Sequence, residues 1–293
     1  MPESPEVQIL AEFLDAQLTG HTLREVDLLE FRALRSRARP LSELIGHDVT
    51  AVRRLGKHLD VGFGDAHLVI SLGRHGWVRW RASDTPDHVE AEGVPRALVS
   101  LTFADAGTVE VTDAGSWVSL GLSVVADPAE VAAVAKLGPD PADPGFDRAA
   151  FDAAVRRRRK QIKAVLQEQE SLAGIGNAYS DEILHAVGVA PTTHAAVLDE
   201  ATLTALFAAT TATIRGAIVA QRGVPIDRLK AAKVAAMRVH GREGEPCPRC
   251  GTAIRSVAFG GTTAQLCPMC QSSPGGGQRS EGVQPPGRPQ RIE

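Results

Sequence analysis

Residues 172–182 read Leu-Ala-Gly-Ile-Gly-Asn-Ala-Tyr-Ser-Asp-Glu. The two glycines and Asn177 run directly into an apolar-periodic stretch that predicts a helix over 176–186. Glycine carries no Cβ, so the backbone there can approach another group closely. The start of a helix also presents N–H groups with no partner inside the helix. The pair suits an anion, a phosphate above all, with Asn177 adding a side-chain donor. Gly176 and Asn177 are therefore candidate phosphate contacts. The run Arg156–Lys160 with Lys163 either extends this patch or forms a solvated helix face, and the pattern leaves both open.

Around this stretch the chain reads as helical: about 148–155, 158–170, 198–221 and 225–238. Gly138-Pro139-Asp140-Pro141-Ala142-Asp143-Pro144-Gly145 is a linker signal. From about 22 to 125, short runs such as HLDVGF, HLVISL, LVSLTF and VEVTDA are broken by Gly, Asp and Pro, as in an antiparallel sandwich or barrel. Before it, Val7, Leu10, Leu14 and Leu18 mark an amphipathic helix over 5–18, with Ser4 suited to its N-cap and Pro5 to its first turn. Residues 128–136 look like a short helix.

The expected fold class is α+β, an N-terminal antiparallel β-sandwich flanked by helices, then a helical domain and a C-terminal hairpin. The expected boundaries are 1–137, a linker at 138–146, a helical domain over 147–239, a cysteine hairpin over 240–271, and a disordered Gly/Pro/Ser-rich tail over 272–293.

The 293 residues are 43% apolar and 23% charged, an ordinary globular composition. No run approaches the 18 or so apolar residues of a membrane span, and the N-terminus lacks a secretory pattern, so the expectation is a cytoplasmic protein with no membrane partner. The net charge of −3 hides an asymmetry. Residues 1–143 carry 13 Lys/Arg against 22 Asp/Glu, whereas 144–271 carry 16 against 11. A basic half joined to an acidic half fits a molecule that turns one face to phosphates, or two domains whose charges serve no such purpose.

All four cysteines fall in one short segment, Cys247-x2-Cys250-x16-Cys267-x2-Cys270. Two CxxC knuckles supply four thiolates to one tetrahedral ion, with zinc the usual occupant and rubredoxin-type iron the competitor. Four thiolates close the coordination sphere, so the expectation is one structural Zn2+.

Four segments in one order resemble the formamidopyrimidine-DNA glycosylase / endonuclease VIII family: Met1-Pro2-Glu3-Ser4-Pro5-Glu6-Val7, Gly56-Lys57-His58-Leu59, Leu172–Glu182, and His240-Gly241-Arg242-Glu243-Gly244 leading into the cysteines. The resemblance implies a helix–two-turn–helix around 172–182 and a zinc-finger β-hairpin. It implies a bifunctional glycosylase and abasic-site lyase of base-excision repair, acting on damaged double-stranded DNA as a monomer at the bacterial nucleoid. Pro2, freed by removal of Met1, is the implied nucleophile, and Glu3 the acid/base at the sugar ring oxygen. An α-amine already titrates near neutral pH, at roughly 7.7–8.0. Glu6 is the implied second carboxylate, or a carboxylate that merely complements the helix dipole. Lys57, between two strand-like runs, is the implied phosphate-contacting and base-ejecting lysine; on pattern alone it reads equally well as a solvated turn lysine.

The sequence departs from the family in three places. The arginine of the zinc hairpin aligns near Thr262, and the only arginine between the knuckles is Arg255. The first wedge position is Arg74, which can still stack on bases. The loop that reads the opposite base is Asp113-Ala114-Gly115-Ser116-Trp117, with Trp117 as the remaining aromatic wedge. Arg74, Trp117, Lys163, Gly176, Asn177, Arg255 and Thr262 are thus the candidate DNA-binding residues. The departures leave a second expectation, a lesion- or abasic-site-binding paralogue with weak or lost catalysis. A third, a zinc-ribbon binding module, leaves the Met-Pro-Glu start unexplained.

Overall fold

The computed structural model describes residues 2–36, 38–83 and 95–271; the tail expected to be disordered lies outside the described residues. Helix α1 (Ser4–Leu18) precedes eight strands: β1 (Leu23–Leu28), β2 (Ala51–Leu55), β3 (His58–Gly62), β4 (His67–Ser71), β5 (Gly76–Ala82), β6 (Ala97–Phe103), β7 (Gly107–Asp113) and β8 (Gly121–Val125). They form two four-stranded antiparallel sheets, ordered β1-β6-β7-β5 and β2-β3-β4-β8. The Gly56-Lys57 turn joins β2 to β3, with Leu55 opposite His58. One apolar core takes Val78, Val99 and Val111 from the first sheet and Leu59, Leu68 and Ile70 from the second.

The chain continues through α2 (Ala132–Ala135), α3 (Arg148–Val155), α4 (Ile162–Gln167), α5 (Asn177–Val187), α6 (Glu200–Gln221) and α7 (Leu229–Ala236) to the hairpin β9 (Arg255–Phe259) and β10 (Thr262–Leu266). The same core runs on through Phe151, Leu166, Ile183, Leu206 and Ile214, whereas Val239, Cys247, Ile254 and Cys267 form a small separate cluster under the hairpin.

Three local expectations change. The N-cap of α1 is Glu3, in extended backbone, not Ser4. Ser4 is already helical, and its hydroxyl is buried without a partner. The helix expected over 158–170 shrinks to α4, because Arg157 takes a left-handed φ of 64° and Gln161 bridges to His194. Among the described residues, α6 alone meets the measure of a membrane span by length and apolar composition. Its stripe of Leu203, Leu206, Ile214 and Ile218 is buried, and it packs on α1 and α5 as a core helix.

Candidate active site and zinc hairpin

The start of α1 is driven end-on into the start of α5. Gly174 has a φ of +85°, which favours glycine, and a Cβ there would stand 2.4 Å from that of Ser4. Ser4 N donates to Gly174 O at 2.9 Å. At Gly176 a Cβ would stand 2.6 Å from Glu3 Cδ. The glycines thus admit Glu3, whose buried carboxylate accepts from the N–H groups of Gly176 (2.5 Å), Ala178 (2.9 Å) and Tyr179 (3.4 Å). A carboxylate at a helix N-terminus is stabilised by the helix dipole as well as by these bonds. The anion at this helix start is the chain's own Glu3, where the sequence suggested a phosphate.

Glu6, one turn along α1, is equally buried. One of its oxygens accepts from Tyr179 Oη (2.7 Å) and Gln221 Nε2 (3.0 Å). The other accepts from Glu3 N (2.9 Å) and Lys233 Nζ (2.7 Å). Lys233 Nζ also lies 3.5 Å from Glu3 Oε1 and 4.6 Å from the centre of the Tyr179 ring. Burial pushes the Glu3 carboxyl up, but Lys233, Lys57 and the N–H groups of Ala178 and Gly176 outweigh it and hold Glu3 below its ordinary value. Burial opposes the charge on Lys233, yet Glu3 and Glu6 raise its pKa. Lys57 goes the other way: burial lowers it, against the pull of Glu3. Tyr179 is raised by burial and by Glu6, so it stays a neutral donor.

These groups open onto a cavity of about 550 Å³ lined by Pro2, Glu3, Glu6, Arg74, Asn177 and Thr262. Four stretches far apart in the sequence therefore share one concave site. One face of α7 completes the wall with Lys230, Lys233 and Val234, followed by Met237 just beyond its end. Lys230 Nζ sits 4.7 Å over the Trp77 ring, and Trp77 Nε1 donates to Ile226 O at 3.2 Å. Neither lysine was picked out from the sequence. The signal was their spacing with Val234 and Met237, which places all four on one helical face. A larger cavity, about 660 Å³, lies along Gln8, Arg54, Asp140 and Arg215; Arg54 is ion-paired with Asp140, and Arg215 donates to the carbonyls of Pro141 and Asp143.

Arg74 and Trp117 stand on two adjoining loops. Arg74 N donates to Ser119 Oγ at 3.0 Å, and Asp113 gathers the second loop by accepting from the N–H groups of Gly115, Ser119 and Leu120. Trp117 is 60% exposed. Arg255 is exposed at the start of β9 and is not among the residues that line the cavity. Lys163 is a correction: it is fully buried, with Nζ 2.6 Å from Asp181 Oδ1 and 2.9 Å from Ser180 Oγ. It is spent inside the fold because α4 lies against α5, and it presents nothing to a phosphate. Arg156, Arg158 and Lys160 are held by Asp152, Glu168 and Glu200.

The Sγ atoms of Cys247, Cys250, Cys267 and Cys270 lie within 4.8 Å of one another. Tetrahedral zinc with Zn–S bonds near 2.3 Å sets its sulfurs about 3.8 Å apart, so the four thiols fit one zinc ion. Helix α5 anchors this hairpin. His185 Nε2 lies 3.2 Å from Cys247 Sγ, Arg249 Nη1 donates to His185 O at 2.9 Å, and Glu182 accepts from the N–H groups of residues 238, 239 and 240. One helix therefore holds the Glu3 carboxylate at its start and the zinc hairpin at its end.

Three family models match the chain: the formamidopyrimidine-DNA glycosylase N-terminal domain over residues 1–114, the formamidopyrimidine-DNA glycosylase H2TH domain over 137–226, and a zinc finger found in FPG and IleRS over 244–272. The formamidopyrimidine-DNA glycosylase of Corynebacterium aurimucosum is 32% identical over 288 residues, spanning 93% of this chain and 96% of that one. The enzyme of the same name from Salinispora arenicola is 33% identical, spanning 94% and 97%. Among solved structures, MutM in complex with DNA containing carbocyclic 8-oxo-G superposes with a TM-score of 0.80 at 26% identity, covering 93% of this chain and all of that one. The Lactococcus lactis enzyme in complex with FAPY-dG DNA gives 0.80 at 25% identity, covering 92% and 100%.

Proposed function

The chain belongs to the formamidopyrimidine-DNA glycosylase family, and from that premise we propose that it is a bifunctional DNA glycosylase and abasic-site lyase of base-excision repair. It removes oxidised or ring-opened bases from duplex DNA through the amine of Pro2 and cleaves the strand by β-elimination. It works as a monomer at the nucleoid, with zinc holding the hairpin. The observation that carries this reading is the convergence of Pro2, Glu3 and Glu6 on one cavity, with Glu3 held below its ordinary value by Lys233 and Lys57.

The proton inventory closes with the residues present. Glu3 is ionised in the free protein, so it first accepts a proton from the Pro2 amine. The amine attacks C1′, the N–C1′ bond forms as the bond to the base breaks, and the proton shed by the attacking nitrogen goes to the departing base. Glu3 then protonates the ring oxygen, the C1′–O4′ bond opens, and an iminium remains. The iminium acidifies the C2′ proton, which passes to Glu3, ionised again by the ring opening; its loss expels the 3′ phosphate, and hydrolysis frees Pro2. Lys57, lowered by burial, supplies a cation at the leaving base or a flanking phosphate. Arg74 and Trp117 fill the stack left by the extruded nucleotide, Asn177 and the exposed Arg255 contact the backbone, and Thr262 stands at the cavity in place of the hairpin arginine.

That last feature favours one alternative, a lesion-binding paralogue with lost catalysis. A panel of duplexes carrying defined lesions and an abasic site separates the two. Strand cleavage on any of them, lost in Pro2→Gly, supports the enzyme; binding without cleavage on all of them supports the paralogue.

A further inference from the structure

Resting on that reading, we propose that Lys233 is a positioning residue that clamps Glu3 and Glu6 together as a pair of carboxylates, leaving Glu3 free to take the proton of Pro2. Two buried carboxylates one helical turn apart cannot both ionise cheaply; without a neighbouring cation one of them keeps its proton. Lys233 Nζ is within 2.7 Å of Glu6 and 3.5 Å of Glu3, so one ammonium spans both.

The groups that face this pair are known from each packed element. Helix α1 gives Glu3 and Glu6, the β2–β3 turn Lys57, α5 Tyr179, α6 Gln221 and α7 Lys233. Lys163 on α4 also feels Glu3, but it is bound to Asp181. Tyr179 and Gln221 donate to Glu6 yet carry no charge, and Lys57 acts through space. Lys233 alone among these is both charged and within hydrogen-bond reach of the carboxylates. Its place is built: Leu229 is fully buried and anchors α7, and the Tyr179 ring lies under the ammonium. The clamp therefore joins α7 to the N-terminal end of α1.

The test compares wild type, Lys233→Met and Lys233→Arg. Carboxyl 13C chemical shifts of the DNA-free protein, labelled at glutamate, follow the titration of Glu3. Single-turnover cleavage of abasic-site DNA from pH 5 to 9 follows the chemistry. In Lys233→Met, Glu3 is expected to titrate higher by about one pH unit or more, and the acid limb of the rate profile to move up with it. Affinity for a duplex bearing an uncleavable abasic analogue stays unchanged, and Lys233→Arg restores both titration and rate. Should Lys233→Met not fold, the charge-balanced Lys233→Gln/Glu6→Gln pair takes its place, and Glu3 is expected to titrate as in wild type. An unshifted Glu3 in folded Lys233→Met, a raised Glu3 in the charge-balanced pair, or a rate loss explained wholly by weaker DNA binding overturns the proposal. An inactive wild type whose Glu3 still shifts in Lys233→Met overturns the enzymatic reading and leaves the clamp standing.

Discussion

Replacing Gly176 by alanine separates two uses of the glycines at the start of α5. Gly176 has φ −127° and ψ −151°, ordinary extended backbone, so alanine brings no conformational penalty. Its whole effect is the new methyl, 2.6 Å from Glu3 Cδ and 2.9 Å from Glu3 Oε1. The carboxylate must retreat by about 1 Å, and a shift of that size at a reacting group costs about 100-fold in rate. It also weakens charge-assisted bonds from Gly176 and Ala178, each worth roughly 1.5–3 kcal/mol, for a total near 2–4 kcal/mol. For a chain of this size that corresponds to a fall in Tm of about 5–12 °C. The assay is borohydride trapping on abasic DNA under single-turnover conditions, beside Kd for an uncleavable abasic duplex and a thermal melt. The expected result is slow trapping with little change in Kd. Trapping at the wild-type rate with strongly weakened binding refutes the reasoning, because it means that the glycine backbone serves a phosphate and not Glu3.

Other substitutions test neighbouring claims. Lys163→Met leaves buried Asp181 with His240 as its remaining side-chain partner and is expected to cost about 3 kcal/mol, read as a lower urea midpoint, with DNA affinity unchanged in the folded fraction; a loss of affinity without a loss of stability would contradict its internal role. Thr262→Arg places a guanidinium at the cavity and is expected to tighten abasic-duplex binding at low salt by about tenfold, the worth of one charge-assisted bond. Glu3 is depressed below 4.5 in the fold, so its contribution to stability is full above that pH and lost as pH falls through the folded value. Urea midpoints of wild type should therefore drop relative to Glu3→Gln below about pH 4.5 and keep a constant gap above it. Chelating zinc should unfold the hairpin and weaken duplex binding, because metal-binding energy is folding energy in so small a unit; unchanged affinity after verified zinc loss would count against it.

The zinc site was legible because its spacing is its geometry: two CxxC knuckles bring four sulfurs together with little help from the rest of the chain. Helix α1 and the strands were legible from periodicity, and the resemblance drew attention to Pro2 and Glu3, which line the cavity. What sequence could not show was contact across long separations. The helix start at Gly176 looked ready for an external anion, but its N–H groups are satisfied by a side chain 173 residues away. Lys163 looked like part of a basic surface, and only the packing of α4 on α5 turns it inward. Lys233 lies in the alanine-rich helix expected over 225–238, and its contact with Glu6 follows from where α7 lands.

The most direct test of the proposed chemistry is mass spectrometry of the borohydride-trapped adduct on abasic-site DNA, with the protein freed of Met1. The expected result is one covalent link, mapped to a terminal peptide beginning at Pro2, and none when Met1 is retained. An adduct mapped to Lys57 or Lys233, or no adduct from folded, Met1-free protein, would contradict the assignment of Pro2 as the nucleophile.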